Sequence, residues 1–209
     1  MTESEYIKQN KLGFEGDLFA RNKFQDIIES NGINTVVETG TYLGSTTRYF
    51  AQWADIVHTI EINKYNYEKA KSNLYDCSNV KMHFGNSSQE LAKVIATLDK
   101  SQPVLFFLDA HWEDYNPLLA ELKVIALAGL KPFIAIHDFK VPNKPELGFD
   151  SYKGQDYEWD WIKAGIEEIY DEGGYKVEYN SEASGAKRGI IYISPNDTKY
   201  TNSSEQNNA

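Results

Sequence analysis

The fold of this chain is decided by residues 33–50, INTVVETGTYLGSTTRYF. The first seven residues are mainly apolar or β-branched, which is typical of a buried strand. Gly40 and Gly44 follow in a turn, and a helix is predicted from about Ser45. In such a strand–turn–helix unit, backbone amides and the N-terminus of the helix can approach a ligand closely. The stretch therefore predicts the start of an α/β fold and a ligand site.

Short apolar runs alternate with amphipathic segments as far as residue 138. The later predicted strands are DIVHTIEI (55–62), VKMHF (80–84), PVLFFLDA (103–110) and PFIAIHD (132–138). A helix is predicted between successive strands, which is the pattern of βαβ units and a parallel sheet. Two final runs, 175–180 and 188–194, flank a polar turn and predict a hairpin. We expect an α/β fold with a Rossmann-like, seven-stranded, mostly parallel sheet, helices on both faces and a C-terminal antiparallel hairpin.

The same pattern divides the chain into three regions. Residues 1–30 form an N-terminal segment and a helix that begins near Asp17, and the glycine of Asn31-Gly32 ends that helix. Residues 31–195 form the main domain, in which a long loop is predicted from residue 139 to residue 161. Residues 196–209 are polar and lack periodicity, so we expect a disordered tail.

The overall composition excludes several classes of function. The 209 residues carry a net charge of -10, so no basic face is expected for nucleic acid. No stretch approaches the ~18 apolar residues that a membrane span needs. The single cysteine, Cys77, cannot form an intramolecular disulfide, which suits a reducing compartment. We expect a cytoplasmic protein without a nucleic-acid or membrane partner, and its oligomeric state stays open.

An acidic residue at the end of the second predicted strand strengthens the ligand hypothesis. Glu61 follows Gly40 by 21 residues, and an acid at that place can bind both hydroxyls of a ribose. The glycine turn has the spacing Glu-x-Gly-x-x-x-Gly, whereas a dinucleotide fingerprint has three glycines in G-x-G-x-x-G. The sequence therefore favours a nucleoside ligand without a pyrophosphate.

At this point the chain resembles the class I S-adenosylmethionine-dependent methyltransferases. The resemblance rests on Glu38, Gly40, Gly44 and Glu61 and covers about residues 31–194. In that family the first-strand acid and the glycine turn approach the amino-acid part of the cofactor, and the second-strand acid binds the ribose. The resemblance implies S-adenosylmethionine as the cofactor. The binding residues that it implies are Glu38, Gly40, Thr41, Gly44, Ser45, Glu61, Asn86, Ser87 and Asp109.

The end of the third predicted strand, HFGNSSQEL, has two interpretations. By resemblance, Asn86 and Ser87 would lie beside the adenine. Ser87 and Glu90 also have the spacing of a capping box for the next helix. The two interpretations are compatible.

Polar side chains also follow the fourth and fifth predicted strands. Asp109 and His111 end the fourth strand, and His137 and Asp138 end the fifth. Ligands of open α/β sheets bind outside the carboxyl ends of the strands, where the ends of adjacent strands meet. We therefore expect these four side chains to come together at the active edge of the sheet.

This arrangement resembles the metal-dependent O-methyltransferases of the catechol and macrocin types. In that group a fourth-strand Asp and a fifth-strand acidic or amide pair hold Mg²⁺. The resemblance implies a divalent metal held by Asp109, His137 and Asp138. His137 departs from the usual acid, and imidazole suits Zn or Mn better than Mg. The sequence does not decide whether the metal is Mg, Mn or Zn.

The same residues have an alternative role without a metal. A histidine that titrates near neutrality can take the proton from an attacking hydroxyl. The predicted catalytic residues are therefore His111, His137 and Asp109, and the choice of base between the two histidines stays open.

Aromatic residues near the predicted site suggest contacts with an acceptor. Trp112 adjoins His111, and Tyr152 belongs to the aromatic segment 147–161, which is a candidate lid. We predict substrate contacts for Trp112 and Tyr152. Trp159 and Trp161 have an alternative role, in which they anchor the following helix to the sheet.

The function predicted from these residues is S-adenosylmethionine-dependent methylation of a hydroxyl group. The expected partner is a small-molecule acceptor or a sugar, and a metal would favour a vicinal diol. One alternative is a metal-dependent hydrolase or oxygenase on a methyltransferase-like fold. Another is a non-catalytic ligand-binding module, against which the clustered Asp and His residues count.

Overall fold

The computed structural model describes residues 12–111 and 115–196, and its centre is a seven-stranded sheet. The strands in chain order are β1 (Thr35–Thr39), β2 (Ile56–Glu61), β3 (Val80–Phe84), β4 (Val104–Leu108), β5 (Phe133–His137), β6 (Ser151–Tyr152), β7 (Gln155–Asp156), β8 (Tyr175–Tyr179) and β9 (Ile190–Pro195). Their order across the sheet is β3-β2-β1-β4-β5-β9-β8, and β6 pairs only with β7. The first five strands pair in parallel, and β9 is antiparallel to β5 and β8. The predicted sheet and its C-terminal antiparallel hairpin are confirmed.

Helices cover both faces of the sheet, as predicted. They are a short 3-10 helix (Phe14–Gly16), α1 (Leu18–Asn31), α2 (Ser45–Phe50), α3 (Lys64–Asn73), α4 (Ser87–Ile95), α5 (Leu118–Leu127) and α6 (Trp159–Tyr170). Apolar residues of α4, α5 and α6 share one core cluster, whereas those of α1 and α2 belong to a second cluster. Two cores on opposite faces explain why the central strand β4 is apolar at every position.

Strand β4 illustrates this division. Phe106 and Leu108 pack with α4, α5 and α6, whereas Leu105 and Phe107 pack with α1 and α2. All four side chains are at most 2% exposed. Because successive side chains of a strand point to opposite faces, a continuous apolar run serves both cores. The run stops at Asp109, where the strand leaves the sheet.

The N-terminal helix belongs to the same folded unit as the sheet. The Asp17 carboxylate caps α1 by accepting hydrogen bonds from the backbone amides of Phe19 and Ala20. Phe14 stacks on Phe24 with ring centroids 4.8 Å apart. The ring of Phe14 also packs edge-on against Phe107 of β4. These contacts fix the 3-10 helix over the carboxyl edge of the sheet.

The glycine turn after β1 is required by its packing. Gly40 has φ 87°, and a Cβ atom there would lie 2.4 Å from the carbonyl oxygen of Asp109. Any side chain at residue 40 would push the end of β1 away from the end of β4. Gly44 is the N-cap of α2 and has φ 83°, a conformation that favours glycine.

The predicted loop 139–161 contains regular structure. The short strands β6 and β7 pair within it, and α6 begins before it ends. Trp159 and Trp161 are partly buried against the core, which supports their role as anchors of α6. Trp112 and the tail from residue 197 lie outside the described residues. In the described part of the chain, no helix is long and apolar enough to cross a membrane.

Candidate active site

One cavity of about 470 Å³ opens at the carboxyl ends of β1, β2, β4 and β5. It lies where the chain order reverses between β1 and β4, which is the usual ligand position in open α/β sheets. The predicted residues that line it are Gly40, Thr41, Ser45, Glu61, Ser87, Asp109, His111, His137 and Asp138. Glu38, Gly44, Asn86 and Tyr152 lie outside its lining. The structure thus brings most of the predicted cofactor and catalytic residues into one space.

The Glu61 carboxylate is held in place at one end of the cavity. Its Oε2 accepts a hydrogen bond from the backbone amide of Tyr42 at 2.7 Å, and its Oε1 accepts one from Asn63 at 2.7 Å. Burial raises the pKa of Glu61, and the amides of Asn63 and Tyr42 oppose the rise. A carboxylate oxygen can accept two hydrogen bonds, so each oxygen keeps capacity for a ligand hydroxyl.

Glu38 lies behind the glycine turn. Its Oε2 accepts hydrogen bonds from the hydroxyl groups of Thr47 and Thr59, which joins β1 to α2 and β2. The side chain is fully buried, and burial raises its pKa to about 8, against the effect of the two hydroxyl groups. These contacts give Glu38 a part in holding the turn.

The exit of β3 is organised by Asn86. Its Oδ1 accepts a hydrogen bond from the backbone amide of Ser88 at 3.0 Å, so Asn86 caps α4. The predicted capping box started at Ser87, but the helix begins one residue earlier than such a box requires, and Glu90 pairs instead with Lys93. The Asn86 amide also donates a hydrogen bond to the hydroxyl of Tyr115 at 2.9 Å. This contact positions Tyr115, which lines the cavity.

An acid–histidine cluster lies at the other end of the cavity. Asp109, His111, His137 and Asp138 line the cavity, and Asp150 lies behind them, near His111. Nδ1 of His137 lies 3.2 Å from Asp109 Oδ1 and 3.3 Å from Asp138 Oδ1. Nε2 of His111 lies 3.6 Å from Asp138 Oδ2 and 3.9 Å from Asp150 Oδ2. Asp138 has φ 57°, which an aspartate tolerates better than most residues and which ends the strand sharply. Both histidines therefore face the same carboxylate.

The carboxylates set the charge of the two histidines. Burial opposes the charged form of His137, but Asp138 and Asp109 outweigh it and raise its pKa well above the usual value. The interaction with Asp138 also raises the pKa of His111, against the effect of burial. Burial acts against the charge of Asp138, yet His137, His111 and Arg188 hold its pKa well below the usual range. The Asp138 carboxylate thus faces the positive charges of His137 and Arg188.

Three charged residues at the site, Arg188, Asp150 and Glu15, were missed by the sequence analysis. Arg188, in the turn before β9, donates hydrogen bonds to Asp138 Oδ1 and Asp150 Oδ1. Asp150 itself accepts a hydrogen bond from the hydroxyl of Tyr152 at 3.0 Å. Glu15 reaches the cavity from the 3-10 helix. None of the three follows the carboxyl end of one of the parallel strands β1 to β5, so no local pattern of the sequence signals them.

The donor set can be tested for a divalent metal. Atoms of Asp109, His137 and Asp138 lie within 4.8 Å of one another, as do atoms of His111, Asp138 and Asp150. The two sets share Asp138, and Arg188 already donates a hydrogen bond to that carboxylate. An arginine is always charged and would repel a second cation. With Arg188 in place, the cluster therefore does not suit a divalent ion. Metal binding remains a prediction from the sequence.

No protein-family model matches this sequence, and no curated protein matches it. Solved structures do, and what they share with this chain is the Rossmann-like methyltransferase fold. One is an O-methyltransferase from Bacillus cereus in complex with SAH, which has 18% sequence identity to this chain and a TM-score of 0.64. The match covers 93% of this chain and 92% of the Bacillus cereus chain. The tomaymycin-synthesis O-methyltransferase from Streptomyces achromogenes, in complex with SAM, has 14% identity and a TM-score of 0.61 over 93% of this chain and 91% of its own.

A third similar structure is named for a different activity. The precorrin 8W decarboxylase of Methanobacterium thermoautotrophicum has 13% identity and a TM-score of 0.54, and the match covers 85% of this chain and 89% of its own. The fold therefore accommodates more than one reaction, and the side chains of the cavity must carry the argument about function.

Proposed function

We propose that this protein transfers a methyl group from S-adenosylmethionine to a hydroxyl oxygen of a small molecule. The observation that carries the proposal is that Glu61 and the acid–histidine cluster lie at two ends of one cavity. A nucleoside site beside a proton acceptor is the arrangement that such a transfer needs. The similar O-methyltransferases in complex with SAM or SAH support the same cofactor.

The cavity suits this cofactor in size and in charge. Its volume of about 470 Å³ falls within the range of roughly 300–1,000 Å³ that small-molecule sites have. The carboxyl groups of Glu15, Glu61, Asp109 and Asp138 line it and favour a cationic ligand. Glu61 would accept hydrogen bonds from the ribose hydroxyls. S-adenosylmethionine supplies, when bound, a methyl group on a positively charged sulfur.

His111 is the proposed general base. It lines the cavity, and 39% of its side chain is exposed, so an acceptor can reach the imidazole. With Nε2 directed at Asp138, Nδ1 is the nitrogen that remains to accept the proton of the hydroxyl group. Asp138 then stabilises the imidazolium that forms.

His137 has a different proposed role. It is 3% exposed and lies between two carboxylates, whose influence keeps the imidazole protonated near neutral pH. A protonated imidazole cannot accept a further proton. We therefore assign His137 to holding Asp109 and Asp138 together beneath the cavity.

The acceptor is proposed to be a phenol or a sugar hydroxyl. Tyr115 and Pro117 also line the cavity and offer apolar surface to a ring. Tyr152 lies next to His111, with ring centroids 6.0 Å apart, although it does not line the cavity. Its predicted substrate contact therefore requires an acceptor that extends beyond the described cavity.

Calorimetric titration with S-adenosylmethionine and S-adenosylhomocysteine tests the cofactor. We expect the wild-type protein to bind both, and Glu61→Ala to weaken binding by about 10- to 100-fold because a charged acceptor of two ribose hydroxyls is lost. Glu68→Ala is the matched control, since this exposed glutamate of α3 pairs with Lys64 at the surface and does not line the cavity. Absence of binding by the wild-type protein would refute the proposal. Equal loss in both variants would refute the role of Glu61.

A further inference from the structure

The side chain of Arg188 is fixed in the cluster by its backbone as well as by its ion pairs. Gly148 and Arg188 form a β-bridge, in which the amide of Gly148 donates to the carbonyl of Lys187 at 2.8 Å. The amide of Gly189 donates to the carbonyl of Gly148, also at 2.8 Å. A Cβ atom on Gly148 would lie 2.9 Å from Nη1 of Arg188, so the guanidinium packs directly on this backbone. The arginine is therefore held from the loop that also carries Asp150.

The carboxylate oxygens around Arg188 already have partners. Oδ1 of Asp138 accepts a hydrogen bond from Nε of Arg188 and lies 3.3 Å from Nδ1 of His137. Oδ2 of Asp138 faces His111 at 3.6 Å. Oδ1 of Asp150 accepts a hydrogen bond from Nη2 of Arg188, and Oδ2 accepts one from Tyr152. A divalent ion would have to displace these groups to gain the several oxygen ligands that it needs.

We propose that Arg188 takes the place of a divalent cation in the acid–histidine cluster, so that the cluster works without a bound metal. The guanidinium joins Asp138 of β5 to Asp150 of the loop, and this connection fixes the carboxylate that faces His111. Its planar fork suits two carboxylates at once, which the point charge of a lysine does not. The catalytic part of this inference rests on the proposed methyltransferase function. The metal-binding part does not.

Titration with Mn²⁺, followed by electron paramagnetic resonance, tests the inference without any turnover. We expect the wild-type protein to show no Mn²⁺ binding that depends on Asp138. Arg188→Ala should bind Mn²⁺ at the cluster at least roughly tenfold more tightly than the wild-type protein does, because a fixed positive charge beside the carboxylates is removed. The gained site should disappear in the double variant with Asp138→Asn. Arg188→Lys keeps the positive charge and should bind Mn²⁺ as weakly as the wild-type protein.

Two results would overturn the inference. The first is stoichiometric Mn²⁺ binding by the wild-type protein that Asp138→Asn abolishes. The second is a folded Arg188→Ala protein, checked by circular dichroism, that gains no site. If Arg188→Ala does not fold, the wild-type and Asp138→Asn titrations still decide whether the cluster holds a metal. Binding of S-adenosylmethionine by the same samples, with and without EDTA, separates a failure of this inference from a failure of the proposed function.

Discussion

The four histidines of the chain form two pairs with opposite electrostatics. His58 of β2 and His83 of β3 stack with ring centroids 5.2 Å apart, and their nitrogens Nδ1 and Nε2 lie 3.0 Å apart. His111 and His137 instead share the carboxylate of Asp138. Both pairs contain an imidazole that is less than 5% exposed, namely His58 and His137.

The two buried histidines show which effect decides their charge. Burial, together with the neighbouring His83 and Lys81, lowers the pKa of His58 to about 4. Burial acts in the same direction on His137, but the carboxylates of Asp138 and Asp109 reverse the outcome. Burial therefore favours the neutral form of a histidine, whereas neighbouring acids favour the cation. A histidine near a strand end is therefore informative about function only when the acidic residues around it are known.

The largest expected effect comes from removing the accessible histidine of the acidic pair. His111→Gln should lower kcat by about 10²–10³-fold with little change in KM, because a general base acts mainly in the transition state. His58→Gln, the matched control in the other pair, should leave kcat within about twofold. The measurement is the rate of S-adenosylhomocysteine formation with a panel of phenol and sugar acceptors. Similar rates for His111→Gln and the wild-type protein would mean that the two histidine pairs do not differ in function.

Much of the fold could be predicted because its signals are local. Apolar runs such as that of β4 and the glycine turn at Gly40 follow from neighbouring residues alone. The strand ends also place Asp109, His137 and Asp138 near one another once the sheet is assumed. Arg188 could not be predicted, because it reaches Asp138 across 50 residues and comes from a polar turn.

One missed residue did have a signal in the sequence. Glu121 follows Leu118 by three residues and precedes Ile125 by four, so it shares the apolar face of α5. An acid on such a face is buried unless the helix is displaced, and Glu121 is 1% exposed. Helical periodicity could therefore have identified it, whereas its neighbours on other elements could not have been identified.

Glu121 extends the comparison of the histidine pairs to a buried acid. At Asp138 the effect of burial is outweighed by neighbouring histidines, which lower the pKa, whereas burial dominates the pKa of Glu121. Burial raises its pKa to about 7, against the effect of the Ser87 and Thr39 hydroxyl groups. A folded-state pKa above the unfolded value of 4.5 means that stability falls as pH rises from about 4.5 through 7. Glu121→Gln should therefore raise the free energy of unfolding at pH 8 by up to about 3 kcal/mol and change it little at pH 4.5.

Urea unfolding of the wild-type protein and Glu121→Gln at the two pH values measures this difference. The amide has the size of the carboxyl group but no charge, so the comparison isolates ionisation. An equal effect of the substitution at both pH values would mean that packing, and not the charge of Glu121, determines its contribution.

The smallest expected effect concerns the neutral histidine pair. His58 has a folded-state pKa of about 4, below its usual 6.5, so its contribution to stability is present above pH 6.5 and is lost as pH falls. Between pH 7.5 and pH 5 the wild-type protein should lose about 2 kcal/mol more than His58→Gln, whose side chain never gains a proton. His137 should behave in the opposite way, because its raised pKa gives stability below pH 6.5 that is lost as pH rises. Urea unfolding of the wild-type protein, His58→Gln and His137→Gln across this range therefore compares the two pairs directly. Parallel stability curves for the wild-type protein and His58→Gln would contradict the neutral pair. Opposite pH dependence of the two substitution effects would establish that the carboxylates, and not burial, hold the charge at the active edge.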